Sequence, residues 1–239
     1  MTSGLWELVL TGIWTTVQLL VFSALLSAAV SFAVGMARTH RLWIVRFVAG
    51  FYTEVFRGTS ALVMIFFIFF VLPVAFGWQL VPMWAATLAL GLTYGAYGSE
   101  IVRGALNAVE PAQKEGGIAL SLTPWQRMRL VVLPQAVPEM IPSFSNLLVE
   151  LLKGTALVSV MGMGDLTFSA NLVRLALQQS AEIYTYVLLI YFAIAFVLTR
   201  LMRALEKRLK AGVGKDTGTF SATRELKRAQ TTGVGGRVA

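Results

Sequence analysis

The stretch Glu110-Pro111-Ala112-Gln113-Lys114-Glu115-Gly116-Gly117-Ile118-Ala119-Leu120-Ser121-Leu122-Thr123-Pro124-Trp125-Gln126-Arg127-Met128-Arg129 is polar, and long apolar runs lie on both sides of it. It continues through Leu130-Val131-Val132-Leu133-Pro134 to Pro138. A polar insert of this length in an apolar chain must leave a bilayer. It also reads as folded. Thr123-Pro124-Trp125-Gln126 is a capping-box pattern, with a Thr N-cap, Pro at the first helical position and Gln three residues after the Thr. Two short helices joined by a tight turn at 121–123 are therefore expected. Ala112, Gly116, Gly117 and Ser121 recur at a spacing of four or five. On a helix they form a stripe with little side chain, where another protein can approach closely. Each glycine costs roughly 1 kcal/mol against alanine in a helix, so a packing reason is expected.

Outward from this insert the chain is apolar. Of 239 residues, 56% are hydrophobic and 13% charged. The charged share is about half that of an ordinary soluble domain. Mean hydropathy is +0.71. Runs of about 20 apolar residues are transmembrane candidates, and several occur. The expected fold class is an all-α integral membrane protein with about five transmembrane helices. There is no cysteine, so no disulfide framework or thiol chemistry. His40 is the only histidine, which excludes a histidine-based metal or catalytic cluster. No Gly-rich phosphate loop with Lys-Ser or Lys-Thr occurs, and no nucleophile–base set stands out. The chain reads as a non-enzyme with no metal and no cofactor.

The first span is expected over 11–37, with small and hydroxyl residues suited to packing between helices. Arg38, His40, Arg41 and Arg46 follow as a basic loop. Residues 42–54 read as an amphipathic interfacial helix, and 61–74 as the second span. The third covers 83–105 and holds Glu100 and Arg103, three apart and able to pair on one face. Pro134, Pro138 and Pro142 are expected to break the helical pattern, so the fourth span starts at 142 or 143 and runs to 163. Glu150 and Lys153 lie inside it, again at a spacing that lets them satisfy each other. Asp165 is placed to cap a short surface helix over 166–179. The last span is expected over 183–201. The tail from 211 to 239, rich in Gly, Thr, Lys and Arg, reads as disordered.

Charge orients the chain. Arg38, Arg41 and Arg46, then Lys114, Arg127 and Arg129, then Arg200 through Lys210 fall on one side of the expected spans. The other side holds only Arg174. The positive-inside rule puts the first set in the cytoplasm, with the amino terminus outside and the carboxyl terminus inside. The net charge of +8 is thus a matter of topology, and no nucleic-acid partner is expected.

Several motifs carry a family resemblance. Glu115-Gly116-Gly117, three residues, Ser121, nine residues, then Val131-x-Leu133-Pro134 is similar to the EAA loop of ATP-binding-cassette (ABC) importer permeases. The family pattern is E-A-A, three residues, G, nine residues, I-x-L-P. Here Gly stands for both alanines and Ser for the glycine. Glu54-x-Phe56-Arg57-Gly58-Thr59, ahead of a Phe-rich run ending in Leu72-Pro73, resembles the polar-amino-acid branch, although Ser60 stands where Pro is common. Tyr97-x-x-Glu100-x-x-Arg103-Gly104 and Lys153-Gly154-Thr155-Ala156-Leu157 resemble the same branch. In the second, Gly replaces the branch's Asp, which rules out a charge-pair role for that position.

The resemblance covers residues 11 to about 210, and it implies a type-1 transmembrane domain over 1–210 with a coupling loop at 110–138. It implies a multi-pass subunit in the bacterial cytoplasmic (inner) membrane. Its partners would be a dimer of ABC ATPase subunits, a second permease subunit, identical or paralogous, and an extracytoplasmic solute-binding protein. Glu115, Gly116, Gly117, Ser121, Leu133 and Pro134 would couple to the ATPase. Cargo would be a polar amino acid or similar zwitterion, with Arg57, Glu100 and Lys153 as candidates for the translocation path. Three alternatives stay open: a compatible-solute importer for an ectoine- or betaine-like cargo, a passive channel or secondary carrier subunit, and a membrane scaffold that carries no flux. For Arg57 and Lys153 the competing role is snorkelling at the membrane surface, and for the Glu100–Arg103 pair it is anchoring a helix end.

Overall fold

The computed structural model describes residues 3–77 and 80–212, and every regular element among them is helical. Helix α1, Ser3–Ala37, has 35 residues. At 1.5 Å per residue it is about 52 Å long, more than the roughly 30 Å of a bilayer's hydrocarbon core. Four of its hydroxyl residues, Thr16, Ser23, Ser27 and Ser31, are buried, while Thr11 is exposed and Thr15 half-buried. The Ser31 hydroxyl donates to the Ser27 carbonyl at 2.6 Å and faces the Gly95 carbonyl at 3.2 Å.

Helix α5, Pro82–Ala108, lies against α1 and forms the centre of the bundle. The contact is close because glycines line it. A Cβ on Gly98 would stand 2.0 Å from the Ser31 Oγ, and one on Gly95 would stand 2.7 Å from Val30. Lipid gives no hydrophobic drive between helices, so small residues that let backbones approach supply the packing. The packing role expected for the small residues of α1 holds for Thr16, Ser23, Ser27, Ser31 and Gly35, whereas Thr15 bonds back to the Thr11 carbonyl of its own helix.

Between α1 and α5 the chain forms α2, Trp43–Gly58, and then a helix bent from it by 106°. Helix α2 is amphipathic. Trp43, Phe47 and Phe51 are exposed, while Ala49 and Thr53 are buried. The second arm is α3, Ala61–Phe66, a wide π-turn at Phe67–Val71, and α4, Leu72–Phe76.

After α5 comes α6, Pro111–Ala119. Then α7, Pro124–Arg127, runs through a second π-turn, Met128–Val132, into α8, Leu133–Thr155, and a 3₁₀ turn, Ala156–Met161. The expected break at Pro134, Pro138 and Pro142 does not occur, because Pro124–Met161 is one 38-residue helical run. The fourth span therefore starts well before residue 142, and the second helix of the polar insert is not short. At Pro134 the π-turn supplies the reason. The Leu133 N–H bonds to the Met128 carbonyl, five residues back, which widens the turn where the proline ring would meet a carbonyl. The same device precedes Pro73, where the Leu72 N–H bonds to Phe67.

Helix α9, Leu166–Leu177, is also not the expected surface helix. Leu166, Ala170 and Val173 are buried, and the α9 face packs on Leu5, Leu8 and Val9 of α1 and on Ile183 and Val187. Its apolar stripe is matched by a partner that lies over 150 residues away in sequence. Asp165 caps it as expected, accepting from the Thr167 and Phe168 N–H groups at 3.0 and 3.2 Å. Helix α10, Ser180–Gly212, closes the bundle against α8 and α9. It reaches into the expected tail, of which residues 213–239 lie outside those described.

Among the described residues three helices are long and apolar enough to span by length and composition alone, Gly4–Ala37, Pro124–Met161 and Ser180–Leu209. The bent pair Trp43–Gly58 and Ala61–Phe76 makes a fourth if read as one span. The one expected span left over, the third, is α5. It has 27 residues, enough to cross, but it carries Glu100, Arg103 and many small or hydroxyl residues.

Candidate functional site

The polar insert is a knuckle at one end of the bundle. Pro111 opens α6 at its first turn, where a missing N–H costs nothing. Beyond its end the chain turns at Ser121, whose φ of 54° lies in the left-handed region. The Leu122 N–H bonds back to the Gly117 carbonyl at 3.1 Å and closes the turn. Thr123 then starts the next helix through a complete capping box. Its hydroxyl accepts from the Gln126 N–H at 3.3 Å, and its own N–H donates to the Gln126 Oε1 at 2.9 Å. The Gln135 Nε2 donates a hydrogen bond to the Gln113 Oε1 at 3.3 Å and ties α8 to α6.

The six candidate coupling residues divide into two groups. Glu115, Gly116, Ser121 and Pro134 are exposed. Gly117 and Leu133 point inward: Gly117 is buried under the Arg127 stem, and Leu133 packs on the core formed by Val102, Leu106 and Val109. The expected small-residue stripe is thus open at Gly116 and already occupied at Gly117. The apolar side chains around the open part were not among the candidates. Ile118, Leu120 and Trp125 are 59%, 75% and 68% exposed. Large apolar groups left exposed on an otherwise polar segment are the signal that marks them.

The three candidate path residues are not equally placed. Arg57 and Glu100 meet, with the Arg57 Nη1 3.4 Å from the Glu100 Oε1. Glu100 also takes Arg103, at 2.7 Å, and Arg38 at the end of α1. One carboxylate therefore gathers arginines from α1, α2 and α5. Arg38 belongs to the stretch expected as a basic loop, and its partner lies 62 positions along the chain, beyond any local pattern. The Arg57 guanidinium also sits over the Tyr97 ring, 5.6 Å from its centroid. Tyr97 adjoins Tyr94, whose hydroxyl donates to the Glu150 carbonyl at 3.0 Å.

Lys153 stands apart from Glu100. It is exposed, as is Glu150, and among the described residues the two form no ion pair. The expected pairing within α8 is not made. Next to Lys153, Gly154 leaves room for Tyr94, since a Cβ there would meet the tyrosine hydroxyl at 2.5 Å. A polar line thus runs from the exposed Arg57 and Tyr97 through the half-buried Tyr94 to the Glu150 backbone and the exposed Lys153. Among the described residues no group of His, Cys, Asp or Glu is arranged to hold a metal.

Comparison with known proteins bears on this geometry. A family model described as "Binding-protein-dependent transport system inner membrane component" matches residues 29–211. A probable amino-acid ABC transporter permease, y4tF of Sinorhizobium fredii, is 46% identical over 200 residues, covering 82% of this chain and 84% of the relative. The arginine transport system permease ArtQ of Bacillus subtilis is 34% identical over 209 residues, with coverage of 85% and 93%. The crystal structure of an amino acid ABC transporter with histidines superposes at a TM-score of 0.77 with 29% identity, covering 84% of this chain and 94% of that one. The MetNI methionine ABC transporter in an inward-facing form shares the fold, with a TM-score of 0.76 at 18% identity and coverage of 87% and 99%.

Proposed function

The chain belongs to the family of binding-protein-dependent transport system inner membrane components, and from that premise we propose that it is the permease subunit of an ATP-driven importer for a polar amino acid. The observation that carries the proposal is the 46% identity to an amino-acid permease over most of both chains. Relatives named for amino acids favour that cargo over an ectoine- or betaine-like solute. The knuckle supports the coupling role: it is capped, tied to α8, and presents Ile118, Leu120 and Trp125 beside the open Gly116.

In this reading the chain crosses the bacterial cytoplasmic membrane five times, with its amino terminus outside. The transmembrane domain takes up residues 1–210 and the remainder is a cytoplasmic tail. A second permease subunit completes the pathway, an extracytoplasmic binding protein delivers cargo, and two ATPase subunits hydrolyse ATP. Glu115, Gly116 and Ser121 face the ATPase, while Gly117, Leu133 and Pro134 hold the knuckle's shape. ATP binds the closed ATPase pair better than the open one, and this difference biases the permease between its two states. Arg57 and Lys153, both exposed on the polar line, contact the passing cargo. Glu100 fixes Arg57 while it is itself held by Arg38 and Arg103.

The test is uptake by the reconstituted complex together with co-purification of the ATPase. Gly116→Trp is expected to abolish both while the chain still inserts and folds. ATPase capture and uptake at the wild-type level would remove the knuckle from the coupling interface.

A further inference from the structure

Between the end of α1 and the knuckle lies a cleft of about 550 Å³. Its rim carries His40, Arg41, Lys114 and Arg127, and no acidic residue lines it. Among the described residues Arg41, Lys114 and Arg127 form no ion pair. The floor is apolar, made by Met36, Leu106, Met128 and Val132. Three cations without a counter-charge around one concavity repel each other and focus a positive potential into it. An anion relieves that repulsion. A soluble anion would use the rim and leave the floor wet.

A second cavity suggests what covers the floor. It has about 560 Å³ and is lined almost wholly by carbon from α1, α8 and α10. It begins where the first ends. Phe32 of the groove and Met36 of the cleft are four residues apart on α1, and Val132 of the cleft and Val137 of the groove are five apart on the α7–α8 run. Along α1 the groove extends from Phe32 to Leu20, a distance of about 18 Å. Half of a bilayer's hydrocarbon core is about 15 Å. The seam is therefore cationic at one end and apolar for about the depth of one leaflet.

We infer that this seam binds an anionic phospholipid of the inner leaflet. The phosphate sits among Arg41, Lys114 and Arg127, and one acyl chain lies along α1, α8 and α10. Basic pockets between helices on the cytoplasmic side suit such headgroups. The lipid joins Arg41, at the end of α1, to Lys114 and Arg127, in the knuckle, so it steadies the knuckle against the bundle. The inference rests on the orientation proposed above, which puts this end of α1 in the cytoplasm.

The experiment uses the complete complex, purified and stripped of lipid in detergent. Short-chain phosphatidylglycerol, phosphatidylcholine of the same chain length, and inorganic phosphate are added separately. Thermal stability and lipid retained in native mass spectrometry are read. Phosphatidylglycerol is expected to raise the melting temperature by several degrees and to remain bound, whereas phosphatidylcholine and phosphate do neither. In the Arg41→Gln/Lys114→Gln pair the phosphatidylglycerol affinity falls at least fivefold. Each charge is also removed singly, so poor folding of the double variant leaves the comparison intact. An equal response to phosphatidylcholine, a response to phosphate as large as that to phosphatidylglycerol, or an undiminished response in every charge variant overturns the inference. Orientation is tested apart from this. The chain has no cysteine, so a single Cys introduced at Gln126 reports its side of the membrane by labelling in intact cells.

Discussion

The stem of Arg127 lies across Gly117 so closely that a Cβ on the glycine would stand 3.1 Å from the arginine's Cγ and Cδ. Around Gly116 the same construction meets nothing within 4 Å. Two adjacent glycines in one helix thus have opposite surroundings. Gly116→Ala is expected to stabilise the subunit by about 0.5–1 kcal/mol, because alanine is the better helix former and meets no obstacle. Gly117→Ala gains less, since the arginine stem has to shift. Gly117→Val displaces the stem and destabilises the knuckle. Thermal unfolding of the three variants in detergent gives the order, and a Gly117→Ala gain equal to that of Gly116→Ala would contradict the packing described.

Ser121 holds a backbone conformation that glycine adopts at no steric cost. Ser121→Gly is expected to raise stability by roughly 1 kcal/mol, and Ser121→Val to lower it by at least as much. The resembling loop pattern has glycine at this position, and the positive φ gives that preference a physical reason. Melting curves of the two variants should move in opposite directions.

Glu100 has three arginine partners, so removing its charge leaves three cations facing one another. Glu100→Gln is expected to cost about 2 kcal/mol or more, as for other partly buried pairs broken from one side. Arg38, with 16% side-chain exposure, should matter more than Arg57, with 39%. Stability should therefore fall in the order Glu100→Gln, Arg38→Gln, Arg57→Gln. A larger loss for Arg57→Gln than for Arg38→Gln would refute the ranking by burial.

Burial pushes the Asp165 carboxyl up from its ordinary 3.8 to about 6, against the Thr167 and Phe168 N–H groups that favour the anion. A raised folded-state value means that the fold prefers the neutral acid. That contribution is complete below the unfolded value and is lost as the pH rises through about 6. The protein should be more stable at pH 5 than at pH 7.5 by about 1 kcal/mol through this group. Asp165→Asn keeps a cap acceptor and cannot titrate, so the difference between wild type and variant should vary with pH. A constant difference from pH 5 to 7.5 would show that Asp165 does not titrate there.

Local chemistry in this chain was readable in advance. The Thr123–Gln126 box, the Asp165 cap and the Glu100–Arg103 pair each involve residues two or three apart, and each forms. What could not be read depends on partners far away. Arg38 meets Glu100 across 62 positions, and α9 finds its cover on the first turns of α1. Surface and core are also harder to separate in a membrane chain, where apolar residues face both. The prolines misled for another reason. Pro134 is a helix breaker against a normal turn, but the turn before it is wide, and nothing in Met128-Arg129-Leu130-Val131-Val132 announces that.

The uninterrupted run Pro124–Met161 makes the tip of the knuckle and the buried end of a membrane helix two ends of a single rod of 38 residues, about 57 Å long. The helical backbone is continuous along it, widening at Met128–Val132 and tightening at Ala156–Met161. Tilted by only about 5° about its base, a rod of this length moves its far end by about 5 Å. A small displacement at the exposed Trp125 is therefore carried to Val158, deep among the other helices, without any unfolding between them.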